Sequence, residues 1–374
     1  MPMFIPGKPL TALATALFIG LVFLCLPYSR TRLDLSPQPT CNNRPPDDVI
    51  PNQVHFVYIL KNTSHDFNFE FSHFLSIYAA WHYWRPQAIY LHTNVAADSP
   101  EVARARNGTA GKWNHYIFTI FDLKINEVDV PTHAGNGMEL QNIEHKSDFV
   151  RVKAVYELGG VYIDFDVHPL RDIRPLRESG FKAIAGRQLG GQINSGTFMS
   201  TRGGKMVKLW MEQMHVAYNG GWTTHSNEVI TRVGQRLVRE PGEMLILERD
   251  AFAPGSWKDE DTDALFAVHE DTPSNLRNDT AIAQGMQLPS HDEAFADRWD
   301  HPERFADWER DWSHTYLLHA FTPDRWQHKV PGFEHITPRY VLERRSNFAR
   351  AVYPVARVLF EQGLINVDDS HTGL

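Results

Sequence analysis

Two aspartates separated by one residue, Asp164-Phe165-Asp166, directly follow the apolar run Val161-Tyr162-Ile163. Side chains alternate across a strand, so an extended chain projects both carboxylates to one side and Phe165 to the other. Two carboxylates on one face repel each other unless a cation lies between them. Hard oxygen donors select magnesium or manganese, which keep part of their water and bridge to phosphate oxygens. The chemistry predicted here is a divalent metal that neutralises a diphosphate and stabilises it as a leaving group.

The elements before the pair must position it. A helix predicted over Glu139–Leu158 has Ile143, Val150, Ala154 and Leu158 on one stripe, widened by Phe149, Val152 and Tyr156. Glu144, Asp148 and Arg151 share its remaining face. An i, i+3 ion pair worth a few tenths of a kcal/mol is one reading of that face, and a ligand contact is the other. Gly159-Gly160 stops the helix and permits a tight turn into the strand. Upstream, Val54–Leu60 reads as a buried strand, and Phe71, Phe74, Leu75, Tyr78 and Ala79 recur at helical spacing until Arg85-Pro86. Ala88–His92 is a second strand, Asn126–Val130 a third, and Val161–Phe165 the fourth. This order predicts an α/β fold with a largely parallel central sheet, whose ligands bind beyond the carboxyl ends of the strands. Asp172, in the loop between Pro169 and Pro175, reads as a turn or cap residue.

Phosphatases of the haloacid-dehalogenase type share the local pattern, with the first Asp (here Asp164) as nucleophile. Their motif normally opens the fold and needs a Gly-Asp type acidic motif downstream. Here a long α/β segment precedes the pair, and no Gly-Asp dipeptide follows it.

The chain has 374 residues, 42% of them apolar and 22% charged, which is the composition of a globular protein. A formal charge of −8 with no polybasic tail argues against nucleic acid as a partner. Leu10–Tyr28 carries no charged residue and spans about 28 Å as a helix, close to the thickness of a thin bilayer. A cleaved signal peptide and an uncleaved anchor are the two readings. The length of the run and the lack of a small-x-small site after it favour the anchor. The organisation predicted is a short cytosolic tail (1–9), a transmembrane signal anchor (10–28), a proline-containing stem (29–50) and a catalytic domain (51–374). Three sequons, at Asn62, Asn107 and Asn278, agree with a lumenal domain. The two cysteines, Cys25 and Cys41, lie before that domain, so its stability rests on packing.

The run Ser147-Asp148-Phe149-Val150-Arg151, Tyr156, Gly159-Gly160 and Tyr162-Ile163-Asp164-Phe165-Asp166 resembles the sugar-binding region of glycosyltransferase family 32. The opening IPNQVHFVYIL, with Ile50-Pro51 and His55, resembles that family's first strand, and the short anchor is similar to its fungal members. The resemblance covers most of residues 50–330, more weakly after 200. It implies a GT-A-type nucleotide-binding fold and retaining transfer of a hexose from a nucleotide diphosphate sugar to a glycan or lipid acceptor. It also implies donor contacts from Asp148, Arg151, Tyr162, Asp164 and His55, with Asp164 and Asp166 as catalytic metal ligands for Mn2+ or Mg2+. A further ligand from a late histidine is implied too, and His319 in TYLLHAFTPDRW occupies that place. This sequence has Thr322-Pro323-Asp324-Arg325 before Trp326, where the family more often has Gly and Ser, and a buried core histidine is the other reading of His319.

Beyond the motif, the amide of Asn194 in GGQINSGTFMS is a candidate for sugar hydroxyls, or a turn residue. In GGWTTHSNEV, Trp222 is a candidate stacking face or core residue. Glu228 is a candidate acid/base or acceptor contact. Asp292–Trp312, rich in Asp, Glu, Arg and Trp, reads as a solvated helical face. The predicted localisation is the Golgi or endoplasmic-reticulum membrane, as a single-pass type II protein. A catalytically silent carbohydrate-binding protein on the same fold is the rival from another class; a dead site has no need of two repelling carboxylates.

Overall fold

The alternating apolar runs form a mixed α/β structure, a computed structural model that describes residues 49–271, 298–323 and 328–374. The predicted anchor, most of the stem, the Asn278 sequon, Trp326 and part of the Asp292–Trp312 stretch lie outside the described residues. No helix among those described is long and apolar enough to cross a membrane.

Seven strands make one sheet in the order β3-β2-β1-β4-β7-β6-β8. They are β1 (Gln53–Val57), β2 (Ala88–Thr93), β3 (Leu123–Glu127), β4 (Gly160–Ile163), β6 (Ala183–Arg187), β7 (Ile193–Ser200) and β8 (Leu245–Leu247). β1, β2, β3 and β4 run parallel, as do β6 and β8. β7 runs against both its neighbours, so the sheet is largely parallel with one reversed strand. A separate antiparallel pair joins β5 (Val167–Pro169) to β9 (Leu317–His319).

Apolar side chains cover the sheet from both sides. One core gathers residues of α1 (Phe71–Trp84), α2 (Pro100–Asn107), α3 (Lys112–Ile120) and the carboxyl-terminal helix Asn347–Glu361. The other gathers residues of α4 (Ile143–Leu158), α5 (Lys205–Ala217) and α6 (Asn227–Leu237). The third strand begins earlier than the apolar alternation at Asn126–Val130 suggests. Leu123 and Ile125 carry the pairing with β2, while Val128 and Val130 pack beside the second core. α4 also starts four residues later than expected, because Glu139 is used in a bridge to His133.

The glycines after α4 meet a steric demand. Gly159 and Gly160 both have positive φ, 70° and 113°. A Cβ on Gly159 would lie 2.7 Å from the Arg202 nitrogen, and one on Gly160 2.6 Å from the Gln53 oxygen. The turn therefore presses against two neighbouring backbones, where only glycine fits.

His55 belongs to this turn. Its Nε2 lies 2.7 Å from the Gly159 carbonyl, which can only accept, so Nε2 carries the proton. Nδ1 of His55 then accepts from Nε2–H of His92 at 3.0 Å, and Nδ1 of His92 accepts from the Asn126 amide at 2.9 Å. One directed chain of hydrogen bonds thus crosses from β3 to the turn before β4. Burial lowers the pKa of His55 to about 4 and that of His92 to about 3. Both rings are neutral in the fold, whereas the unfolded chain takes up their protons near pH 6.5. Their contribution to stability is complete above pH 6.5 and is lost as pH falls toward the folded values, by roughly 1.4 kcal/mol per ring and pH unit. The unfolding free energy should therefore fall steeply between pH 6.5 and 4, and less steeply in a His92→Gln variant. Equal slopes for the two proteins in denaturant titrations would remove the histidine chain as the cause.

Candidate metal centre and its cleft

β4 ends at Ile163, and the chain turns at once, with Val167 N donating to the Asp164 carbonyl at 3.1 Å. The two carboxylates are thereby set at the carboxyl end of the parallel strands, as expected for this class of sheet. β5 follows and pairs with β9 so that Val167 faces His319. Ala320 N donates to the Asp166 carbonyl at 2.9 Å and locks that pairing. One side-chain ligand atom from each of Asp164, Asp166 and His319 lies within 4.8 Å of the others. His319 Nε2 is 3.4 Å from an Asp166 oxygen. Two carboxylates and an imidazole are a donor set that suits manganese or magnesium. Gly196 on β7 makes the close approach possible, since a Cβ there would lie 2.6 Å from Asp164 Oδ2 and 2.8 Å from His319 Cε1.

The charged face of α4 is turned inward. Asp148 and Arg151 are each only 6% exposed. Arg151 lies 3.1 Å from Asp148 and 3.3 Å from Asp164, and it donates to the Ser195 carbonyl at 3.1 Å. Its guanidinium also stands 4.6 Å from the centre of the Tyr162 ring. Burial pushes the Arg151 pKa down, but Asp164, Tyr162, Asp148 and Asp166 outweigh it, so the group stays charged. Asp148 has a second partner in His225 Nε2, at 2.8 Å. Tyr162 donates its hydroxyl to Asp164. Burial holds the Asp164 carboxyl above the usual carboxylate range; Arg151 pulls against this and Asp166 adds to it. Asp164 is thus engaged by Arg151 and Tyr162, an arrangement that orients a ligand oxygen rather than freeing a nucleophile.

These groups line a cleft of about 760 Å³. Asn194 is also in its wall, with its amide donating to Gln188 at 2.7 Å and its oxygen accepting from Gly196 N at 2.7 Å. Trp222, 48% exposed, stands at the cleft with its ring 5.2 Å from that of His145. Two expected site residues do not join it. His55 is fully buried beneath the Gly159-Gly160 turn and lines no part of the cleft, because its ring nitrogens serve the sheet. Glu228 is on the exposed side of α6, where it accepts from the Thr223 hydroxyl at 2.9 Å; the neighbouring Thr223, Ser226 and Asn227 face the cleft instead.

Other residues enter unannounced by the sequence. His73 of α1 lines the floor of the cleft; its Nδ1 accepts from Glu70 N at 2.9 Å, and burial lowers its pKa to about 4 against the pull of Asp166. Phe321 and Trp257 form another part of the wall. Four carboxylates (Glu144, Asp148, Asp164 and Asp166) face one guanidinium, Arg151, among the described lining residues.

Residues 72–182, which include the Asp pair, match a family model described as a glycosyltransferase sugar-binding region containing a DXD motif. Among solved structures, the chain is similar to the apo form of the glycosyltransferase GlyE from Streptococcus pneumoniae TIGR4, with 11% identity and a TM-score of 0.40 over 84% of this chain and 64% of that one. It is also similar to the galactosyltransferase LgtC in complex with donor and acceptor sugar analogs, with 14% identity and a TM-score of 0.35 over 84% of this chain and 100% of that one. For the PaToxG glycosyltransferase the identity is 13% and the TM-score 0.35, over 53% and 72% of the two chains. No curated protein sequence matches this chain.

Proposed function

Starting from a chain that carries the sugar-binding region of DXD glycosyltransferases, we propose a metal-dependent, retaining enzyme with a GT-A-type fold. It moves a hexose from a nucleoside diphosphate sugar to a hydroxyl of a glycan or lipid. The convergence of Asp164, Asp166 and His319 at the strand ends, inside one cleft, carries this reading. A manganese or magnesium ion bound there supplies positive charge to the departing diphosphate.

The charge balance supports that ion. Among the described lining residues, four carboxylates and one arginine, itself already paired, repel a diphosphate. Arg151 and Tyr162 orient Asp164, and His225 and Arg151 together orient Asp148. Asp148 and Asp164 are therefore fixed donor contacts rather than mobile bases. Asp148, Asp164 and Asp166 are engaged by cationic or imidazole groups, which suits a front-face displacement better than covalent attack by the protein. Trp222 offers an apolar face for the acceptor sugar at the cleft's edge. The acidic lining favours neutral acceptors over anionic ones.

A lumenal domain on a single-pass anchor, in the Golgi or endoplasmic reticulum, completes the proposal. Asn62 and Asn107 support it: both are exposed, and each accepts from the hydroxyl of its own sequon, Ser64 at 2.7 Å and Thr109 at 2.8 Å.

One preparation tests both halves: the full chain, expressed in a eukaryotic secretory host and recovered from membranes. At least one UDP- or GDP-hexose should be hydrolysed with manganese or magnesium and spared after chelation. Endoglycosidase should shift the chain's mobility. Donor turnover that survives chelation would sink the metal requirement, no turnover of any donor would sink the transferase, and an unshifted band would sink the lumenal topology.

A further inference from the structure

A metal-binding histidine ordinarily donates its second ring nitrogen to a carboxylate, a carbonyl or water, which fixes the ring and its tautomer. His319 lacks that support. Its Nδ1 is buried and has no hydrogen-bond partner among the described residues, while Nε2 faces Asp166. The ring lies flat on Phe321 instead, with centroids 3.8 Å apart and planes 8° from parallel. Its Cε1 edge abuts Gly196. Trp257 stands edge-on to Phe321 at 5.8 Å, so the stack is backed from behind.

The backbone of Phe321 is bent to achieve this. In an extended strand, residues two apart project to the same side about 6.6 Å from each other. Phe321 adopts φ 50°, in the left-handed region, and the bend brings its ring onto that of His319. Arg85 and Arg344, the other non-glycine residues with positive φ among those described, are both helix caps, where the conformation is ordinary. Phe321 caps none of the described helices; it follows β9. A bulky residue persists in this region only where its surroundings impose it, and such sites cluster at ligands.

Resting on the metal reading above, we infer that Phe321 is a positioning residue for His319. Its ring does the orienting that a hydrogen bond to Nδ1 would do elsewhere, and its left-handed backbone is what places the ring. Function and backbone preference oppose each other at this residue, which separates the role from simple core packing. Glycine there relaxes the backbone and removes the stack; leucine keeps bulk and loses the flat face; tyrosine keeps the face.

The test is manganese binding to the full chain without donor, by titration of the free ion's paramagnetic resonance signal, with thermal melting in parallel. Wild type should bind, and His319→Ala should bind weakly. Phe321→Leu and Phe321→Gly should each weaken binding about tenfold, with Phe321→Tyr near wild type. Phe321→Gly should melt no lower than Phe321→Leu. Wild-type affinity in both the Leu and Gly variants overturns the inference while leaving the metal site intact. Loss of affinity that disappears on cooling below the melting range also overturns it, since the variants then only unfold. If wild type and His319→Ala bind alike, the metal reading itself fails.

Discussion

Asp166→Ala should lower metal-dependent turnover of the donor about a thousandfold while leaving the fold intact. The carboxylate stands at the only described cluster of metal-suited side chains, next to His319 and across from Asp164. Its side chain is 28% exposed, and among its contacts is the buried His319, whose Nε2 lies 3.4 Å away. Removing it relieves the repulsion with Asp164 and takes a contact from His319 Nε2; the two effects oppose each other, so the melting temperature should shift little. The loss of a single preorganised charge at a leaving group is worth two to three orders of magnitude, roughly 3–4 kcal/mol. Donor hydrolysis at saturating manganese, compared between wild type and variant, is the measurement. Turnover within a few-fold of wild type would take Asp166 out of the chemistry.

Arg151→Met should act on both stability and turnover. Had the i, i+3 pair with Asp148 been at the surface, its removal would change stability by a few tenths of a kcal/mol. Buried as it is, its loss strands Asp148 and Asp164 without their shared cation and takes a donor from the Ser195 carbonyl. Breaking a buried pair from one side costs about 3–5 kcal/mol. Arg151→Lys should recover only part of this, because an ammonium cannot reach three acceptors in a fixed fork. Urea unfolding separates the outcomes: a change below about 0.5 kcal/mol would return Arg151 to the status of a surface pair.

The sheet and the acidic pair were legible because their signals are local. An apolar strand, a double glycine and alternating carboxylates occupy one continuous stretch, and the helix before them shows both its apolar and its charged stripe. The inward turn of that charged stripe was not legible, since it depends on His225 and Ser195 from other segments. His319 could be named as a ligand candidate, but not Gly196, whose missing side chain makes room for it. His55 shows the opposite failure. Its place in a motif marked it as a ligand contact, yet a strand position does not say which side of the sheet a ring serves. Glu228 missed the cleft by a single helical position, with Asn227 facing in and Glu228 out. His73 sits on the first helix with no motif around it; only the packing of that helix under the β4 turn brings it to the floor.

The pairing of β5 with β9 has a bearing on the order in which the molecule becomes competent. The two aspartates and the strands that seat them are complete once the β7 strand has been made. Their imidazole partner arrives from the far end of the chain, through a two-stranded ribbon that cannot form until residue 319 has been synthesised. A growing polypeptide therefore carries an acidic, half-built socket from the completion of β7 at Ser200 until His319 is added. A cation held by all three side chains, as proposed above, would be captured only as the fold closes, and a chain cut short of that ribbon would leave the ribosome without its His319.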